Sequence, residues 1–277
     1  MPRIYSHISL LLLALLVSCQ TVKEPTIFEA VVDGDLPETH DLLNDDRARV
    51  DERRDDFTPL HYAARQGKVA IAQALLQNGA DVQAANRHGF TPLHAAANAN
   101  HTRMVSFLLD NGADVNARYN GTQCALHDAI FFGQLPLVRL LVAAGADPNA
   151  ANRHGWAPVH LAALQDHVEI AGYLAERADK NVRTPQQQTA LMVAMSAKRW
   201  AVAARLIRAG VDPGLADGDG VTPLHVAALV NHTALAKQLL KAGAPPSAAG
   251  LEGTPLDWAD DNDVSTLLRA YGGRRAP

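Results

Sequence analysis

The chain has 277 residues, 48% of them hydrophobic, with 25 basic and 29 acidic side chains and a formal net charge of -4. That balance excludes the basic footprint that general nucleic-acid binding requires. The length suits one or two globular domains or a single extended array, and Cys19 and Cys124 are the only cysteines.

In chain order, Arg3 precedes an almost wholly apolar run from Ile8 to Val17. Ten helical residues cover about 15 Å, half of a bilayer core of roughly 30 Å. The run therefore reads as a secretory signal, not a membrane span. A cut before Cys19 puts Leu16 where an ordinary signal peptidase prefers a small residue. Leu16-Val17-Ser18-Cys19 instead resembles the lipobox of bacterial lipoproteins. The resemblance implies a signal peptide over residues 1–18, cleavage before Cys19, and acyl chains such as palmitate on its sulfur and new amino group. Gln20, where an aspartate would retain the product at the inner membrane, implies the outer membrane, facing the periplasm. The alternative is an ordinary signal with Cys19 left as a free thiol. With Cys19 lipidated, Cys124 has no partner in the chain and no intramolecular disulfide is expected. Residues 19–25 form the lipidated cysteine and its tether, which spans at most roughly 20 Å.

From residue 26 onward the chain repeats itself. Thr58-Pro59-Leu60-His61-Tyr62-Ala63 returns at Thr91-Pro92-Leu93-His94, Cys124-Ala125-Leu126-His127, Ala157-Pro158-Val159-His160 and Thr222-Pro223-Leu224-His225. Degenerate copies stand at Thr189-Ala190-Leu191-Met192 and Thr254-Pro255-Leu256-Asp257. The period is 32 or 33 residues. This signature resembles the ankyrin repeat. The resemblance implies an all-α solenoid of stacked helix pairs joined by projecting β-hairpin loops over 26–277: an N-terminal cap, then about seven motif-bearing units, the last a C-terminal cap.

The residues support the same architecture. Threonine can cap the first helix of a unit and proline suits its first position. Gly67, Asn100, Gly133, Asp166, Lys198 and Asn231 mark its left-handed end. A second helix follows, with stripes such as Ile71, Leu75 and Leu76 or Met104, Val105, Leu108 and Leu109. Gly79, Gly112, Gly145, Gly210 and Gly243 end it, but no glycine occupies that place near Arg177. The stretch from Arg177 to Lys198 is an irregularity in the stack, one residue short.

Twelve histidines invite a metal reading. However, His61, His94, His127, His160 and His225 lie one per unit, about 10 Å apart, whereas metal ligands converge within about 2 Å of one point. By resemblance this histidine ties the threonine hydroxyl to neighbouring backbone. Cys124 replaces that threonine and reads as a small packed group, depriving His127 of a hydroxyl. Asp217-Gly218-Asp219-Gly220 lacks the later glutamate of a calcium loop. No metal, cofactor, small-molecule substrate or catalytic residue is expected, and the chain does not read as an enzyme.

The resemblance places partner binding on hairpin tips and exposed first-helix positions. Register nominates Arg87, His88, Phe90, Tyr119, Asn120, Arg153, His154 and Trp156 on the tips, and Tyr62, Arg65, Asn98, Asp128, Phe131, Phe132, Leu161 and Leu164 on the first helices. Aromatic residues and arginine are common interface anchors. The expectation is a membrane-anchored module of the bacterial envelope that binds another protein. Its alternatives are an immunity-type inhibitor of a toxic or lytic enzyme, or a stabiliser of a resident envelope protein.

Overall fold

The computed structural model describes residues 26–45, 50–260 and 263–277, so the signal segment, Cys19 and the tether lie outside the described residues. Among the described residues the elements are eight helix pairs. The cap supplies α1 (Ile27–Asp33) and α2 (Leu36–Asn44). Then come α3 (Pro59–Gln66) with α4 (Val69–Gln77), α5 (Pro92–Asn98) with α6 (Thr102–Asp110), and α7 (Ala125–Phe131) with α8 (Leu135–Ala143). The remaining pairs are α9 (Pro158–Leu164) and α10 (Val168–Ala175), α11 (Ala190–Ser196) and α12 (Trp200–Arg208), α13 (Pro223–Leu229) and α14 (Thr233–Lys241), and α15 (Pro255–Trp258) and α16 (Asp263–Ala270).

All six residues expected to end a first helix adopt positive φ, including the non-glycines Asn100, Asp166, Lys198 and Asn231. At Gly67 the requirement is double: φ is +69°, and an added Cβ would lie 2.8 Å from the His101 ring. That ring spans to the previous pair, its Nε2 3.0 Å from the Arg65 carbonyl. Lys68 does the same one unit earlier, donating to the carbonyls of Val31 and Val32. Basic side chains thus cover the helix ends where carbonyls lack intrahelical partners.

One leucine or valine per unit forms a column through the core: Leu60, Leu93, Leu126, Val159, Leu191, Leu224 and Leu256, all at most 4% exposed. Alanines beside it, such as Ala63, Ala64, Ala96 and Ala97, let neighbouring first helices approach closely. Between units the chain projects tight turns. Each closes on a backbone bond such as Asn86 N–H to the Phe90 carbonyl or Asn152 N–H to the Trp156 carbonyl, both 3.0 Å. Among the described residues these hairpins amount to turns with isolated bridges and no extended strand.

The irregular unit has a physical location. Helix α10 ends one residue early, and the Ala178 N–H returns to the Leu174 carbonyl at 2.8 Å with no left-handed glycine between. Helices α10 and α12 then pack more extensively than any other consecutive pair of second helices. Gly172 permits this, since a Cβ there would run into the Arg205 guanidinium. Arg205 reaches Glu176 at 2.6 Å. At the far end Asp257 takes the histidine's place, accepting from the N–H groups of Thr254 and Ala276, each 2.9 Å. The returning tail thereby closes the last pair.

Candidate partner-binding surface

The repeated histidines are built into the scaffold. His61 Nδ1 accepts from the Thr58 N–H at 3.2 Å and lies 2.8 Å from its hydroxyl, while Nε2 reaches the Phe90 carbonyl at 3.0 Å. His94 repeats the pattern onto the Ala117 carbonyl, and His225 onto that of Gly253. Each ring is therefore neutral with the proton on Nε2, and burial holds His61 and His94 down at a pKa of about 4. Burial likewise lowers His127, His160 and His225. His127 keeps a substitute for the missing hydroxyl, since Cys124 Sγ lies 3.1 Å from Nδ1. At Nδ1 His160 has only the backbone N–H of Ala157, while its Nε2 reaches the Val182 carbonyl at 3.0 Å. Among the described residues no three metal-ligating side chains converge.

Four nominated residues meet in one cleft. Tyr62, Arg65, Phe90 and Asn98, with Phe57, His61 and Ala95, line a space of about 180 Å³ between the Thr58 and Thr91 units. The Arg65 guanidinium lies 5.1 Å above the Tyr62 ring. Edge-to-face contacts link Phe28, Tyr62, Phe57, Phe90 and Tyr119 into a chain, with centroids 5.1 to 6.4 Å apart. Phe57 has the same register as Phe90 and Trp156, a signal the sequence reading left unused.

Tyr119 and Asp128 also come together, the phenol donating to Asp128 Oδ1 at 2.7 Å. Asp128 is 8% exposed, and among the described residues its Oδ2 has no hydrogen-bond partner. Burial raises the Asp128 carboxyl to about 6, and burial followed by this bond raises the Tyr119 phenol.

On the tips, two identical pairs recur: Arg87 Nε donates to His88 Nε2 at 3.1 Å, and Arg153 Nε to His154 Nε2 at 3.0 Å. The intervening arginines act differently. Arg118 and Arg183 tie their hairpins to the next loop through the carbonyls of Ala151 and Ala216. Asn120 is exposed, with its N–H committed to the His88 carbonyl at 2.8 Å. Trp156 is half-buried against the His160 ring, which makes part of it packing.

Phe131 and Phe132 stand 61% and 49% exposed, their rings edge to face at 5.2 Å. Leu164 is exposed in the same register, whereas Leu161 packs partly against the core. Leu229, 62% exposed, takes the same register two units on, past Ser196, and was missed because the register was followed only through the first four units. The cleft, the Phe131 row and the tips form adjoining patches of one face, not a single pocket. Among the described residues no helix is long and apolar enough to cross a membrane.

Known proteins share this pattern. The family description "Ankyrin repeats (3 copies)" matches residues 27–119 and 126–217, and "Ankyrin repeat" matches 219–250. The 26S proteasome non-ATPase regulatory subunit 10 of Dictyostelium discoideum is 39% identical over 57 residues, 20% of this chain and 25% of that protein. The chain thus spans about a quarter of the length of that relative. The crystal structure of the human ASB11 ankyrin repeat domain is similar at 28% identity and a TM-score of 0.63, covering 79% of this chain and 100% of the other.

Proposed function

From the premise that this chain belongs to the ankyrin-repeat family, we propose that it is a membrane-anchored module of the bacterial envelope that binds another protein across its first helices and hairpin tips. Repeats of this family serve as protein–protein interaction scaffolds, and their stacked form offers an extended binding surface. The observation that carries the reading is the exposed row Phe131, Leu164 and Leu229, three large apolar side chains in one register beside Phe132. Core packing does not account for them, and large apolar side chains left exposed on one face mark interaction sites. The aromatic cleft at Tyr62 and Arg65 extends the same face toward the amino terminus.

The anchor rests on Leu16 to Cys19. Acyl chains on Cys19 would hold the stack near the membrane, facing the periplasm. The partner would then be a membrane protein, or a periplasmic one that comes to the surface. Within this reading the module inhibits an attacking enzyme or stabilises a resident protein.

The test uses the full chain, tagged at its C-terminus and expressed in the source cells. After crosslinking, the expected result is one protein recovered with the wild type and lost with Phe131→Ser/Leu164→Ser. Equal recovery by both chains would reject this face. Fed palmitate should label the wild type and not Cys19→Ala; no label on either would reject the anchor.

A further inference from the structure

The cleft between the Thr58 and Thr91 units has a size and a lining that specify what it holds. Tyr62 is followed one unit on by Ala95, so a large side chain faces a small one and space remains between them. One unit further Asp128 takes that register, bonded to the Tyr119 hydroxyl at 2.7 Å. On the hairpin side stand Phe57 and Phe90, their rings edge to face at 6.2 Å. Arg65 and Asn98, one turn further along α3 and α5, complete the lining.

The space of about 180 Å³ suits one aromatic ring, since a dry cavity of about 150 Å³ takes up benzene. Phe57, Tyr62 and Phe90 are half-buried. A guest ring meeting them edge to face gains contacts of the kind they already make with one another. The lining has no place for a hydroxyl beside His61. Its Nδ1 is engaged with Thr58 and its Nε2 with the Phe90 carbonyl. A buried phenol would lack a partner there, which favours phenylalanine over tyrosine.

The charge at the mouth is one-sided. Arg65 is exposed and its guanidinium lies 5.1 Å over the Tyr62 ring. A guanidinium stacked on an aromatic face keeps its N–H edge for a carboxylate. Among the described residues Arg65 has no ion pair. Helices α3 and α5 carry no acidic residue. Of the carboxylates on the flanking elements, Asp56 binds the Arg87 N–H and faces Arg53, and Asp128 holds Tyr119.

We propose that this cleft receives a phenylalanine of the partner protein that has an acidic residue beside it in sequence. The ring enters over Ala95, between Tyr62 and Phe90, and the carboxylate pairs with Arg65. The Asn98 amide meets the backbone that carries both. This inference rests on the protein-binding reading above and names the chemistry of the element that docks.

The probe is a capped pentapeptide, glycine–glutamate–phenylalanine–glutamate–glycine, titrated to about 10 mM because one ring and one ion pair give millimolar affinity. Binding to the isotopically labelled full chain is followed by NMR at the amides of Tyr62, Arg65, Phe90 and Asn98. Saturable shifts are expected there, and none with alanine in place of phenylalanine. Tyrosine in that place, or lysine for both glutamates, should weaken binding about fivefold or more. The second effect runs against the chain's net charge of -4. In Arg65→Ala the ring should still be needed and the preference for glutamate should vanish. Absent shifts, equal binding of the alanine peptide, or an unchanged preference in Arg65→Ala would overturn the proposal. So would concentration-dependent shifts at these amides without peptide, which would make a second copy the occupant. Failure here, with the captured protein still lost in Phe131→Ser/Leu164→Ser, would remove the cleft and leave the protein-binding reading standing.

Discussion

The Thr91 and Thr189 units occupy the same register of the stack and are joined to their neighbours by different forces. In the first, His94 accepts from the Thr91 N–H and reaches the Ala117 carbonyl of the next loop, so a buried polar bridge sets the distance between units. In the second, Met192 fills the histidine's place at 1% exposure and no bridge leaves it. There the outer helices α10 and α12 draw together over Gly172, with Arg205 against Glu176. A directional tie fixes spacing, whereas apolar contact lets it adapt. This difference accounts for the irregular packing between Arg177 and Lys198.

Substitution should separate the two kinds of joint. Met192→Ala opens a cavity in a fully buried site and should cost about 2–5 kcal/mol, by the same amount at pH 7 and pH 5. His94→Ala strands the Thr91 N–H and the Ala117 carbonyl, and about 2–4 kcal/mol should be lost at pH 7. That loss should shrink toward pH 5, because the variant no longer carries the histidine's proton linkage. Urea unfolding at both pH values measures each.

The whole chain should share that acid sensitivity. Five buried histidines have lowered pKa values, His61 and His94 at about 4 against an ordinary 6.5. Below pH 6.5 the unfolded chain binds protons that the folded one does not, so unfolding takes up protons. Their stabilisation is complete above pH 6.5 and is lost as pH falls toward 4. Hydrogen exchange should therefore accelerate first in the Thr58 and Thr91 units and last around Met192.

Asp128 works in the opposite sense. Its carboxyl is raised to about 6 from 3.8, so its charge opposes folding above pH 6 and the opposition fades on acidification. Asp128→Asn retains an oxygen for the Tyr119 hydroxyl and should raise stability at pH 7 by roughly 1–3 kcal/mol. The smallest effect belongs to the surface. Glu176→Gln releases one exposed arm of the Arg205 contact, and the unfolding midpoint should barely move in high salt.

Much of this was legible in the sequence because each unit states its own grammar. Threonine, proline, leucine and histidine mark a helix start, and Asn100, Asp166, Lys198 and Asn231 occupy left-handed positions as expected. The missing glycine near Arg177 marked the irregularity before its packing was visible. The surface was less legible, since its properties depend on neighbours about 30 residues away. Arg87, Arg118, Arg153 and Arg183 all lie at the hairpins, yet two tie hairpins together while two pair with a histidine. Tyr119 and Asp128 were nominated separately, and only folding reveals their shared hydrogen bond.

The most direct test of the account places a photo-activated crosslinking residue at position 131 or 164 of the full chain in the source cells, with position 103 on α6 as the outer-helix control. A discrete adduct of one size from 131 and 164, and none from 103, is predicted. An adduct from 103 alone would contradict the account and move the partner to the opposite face.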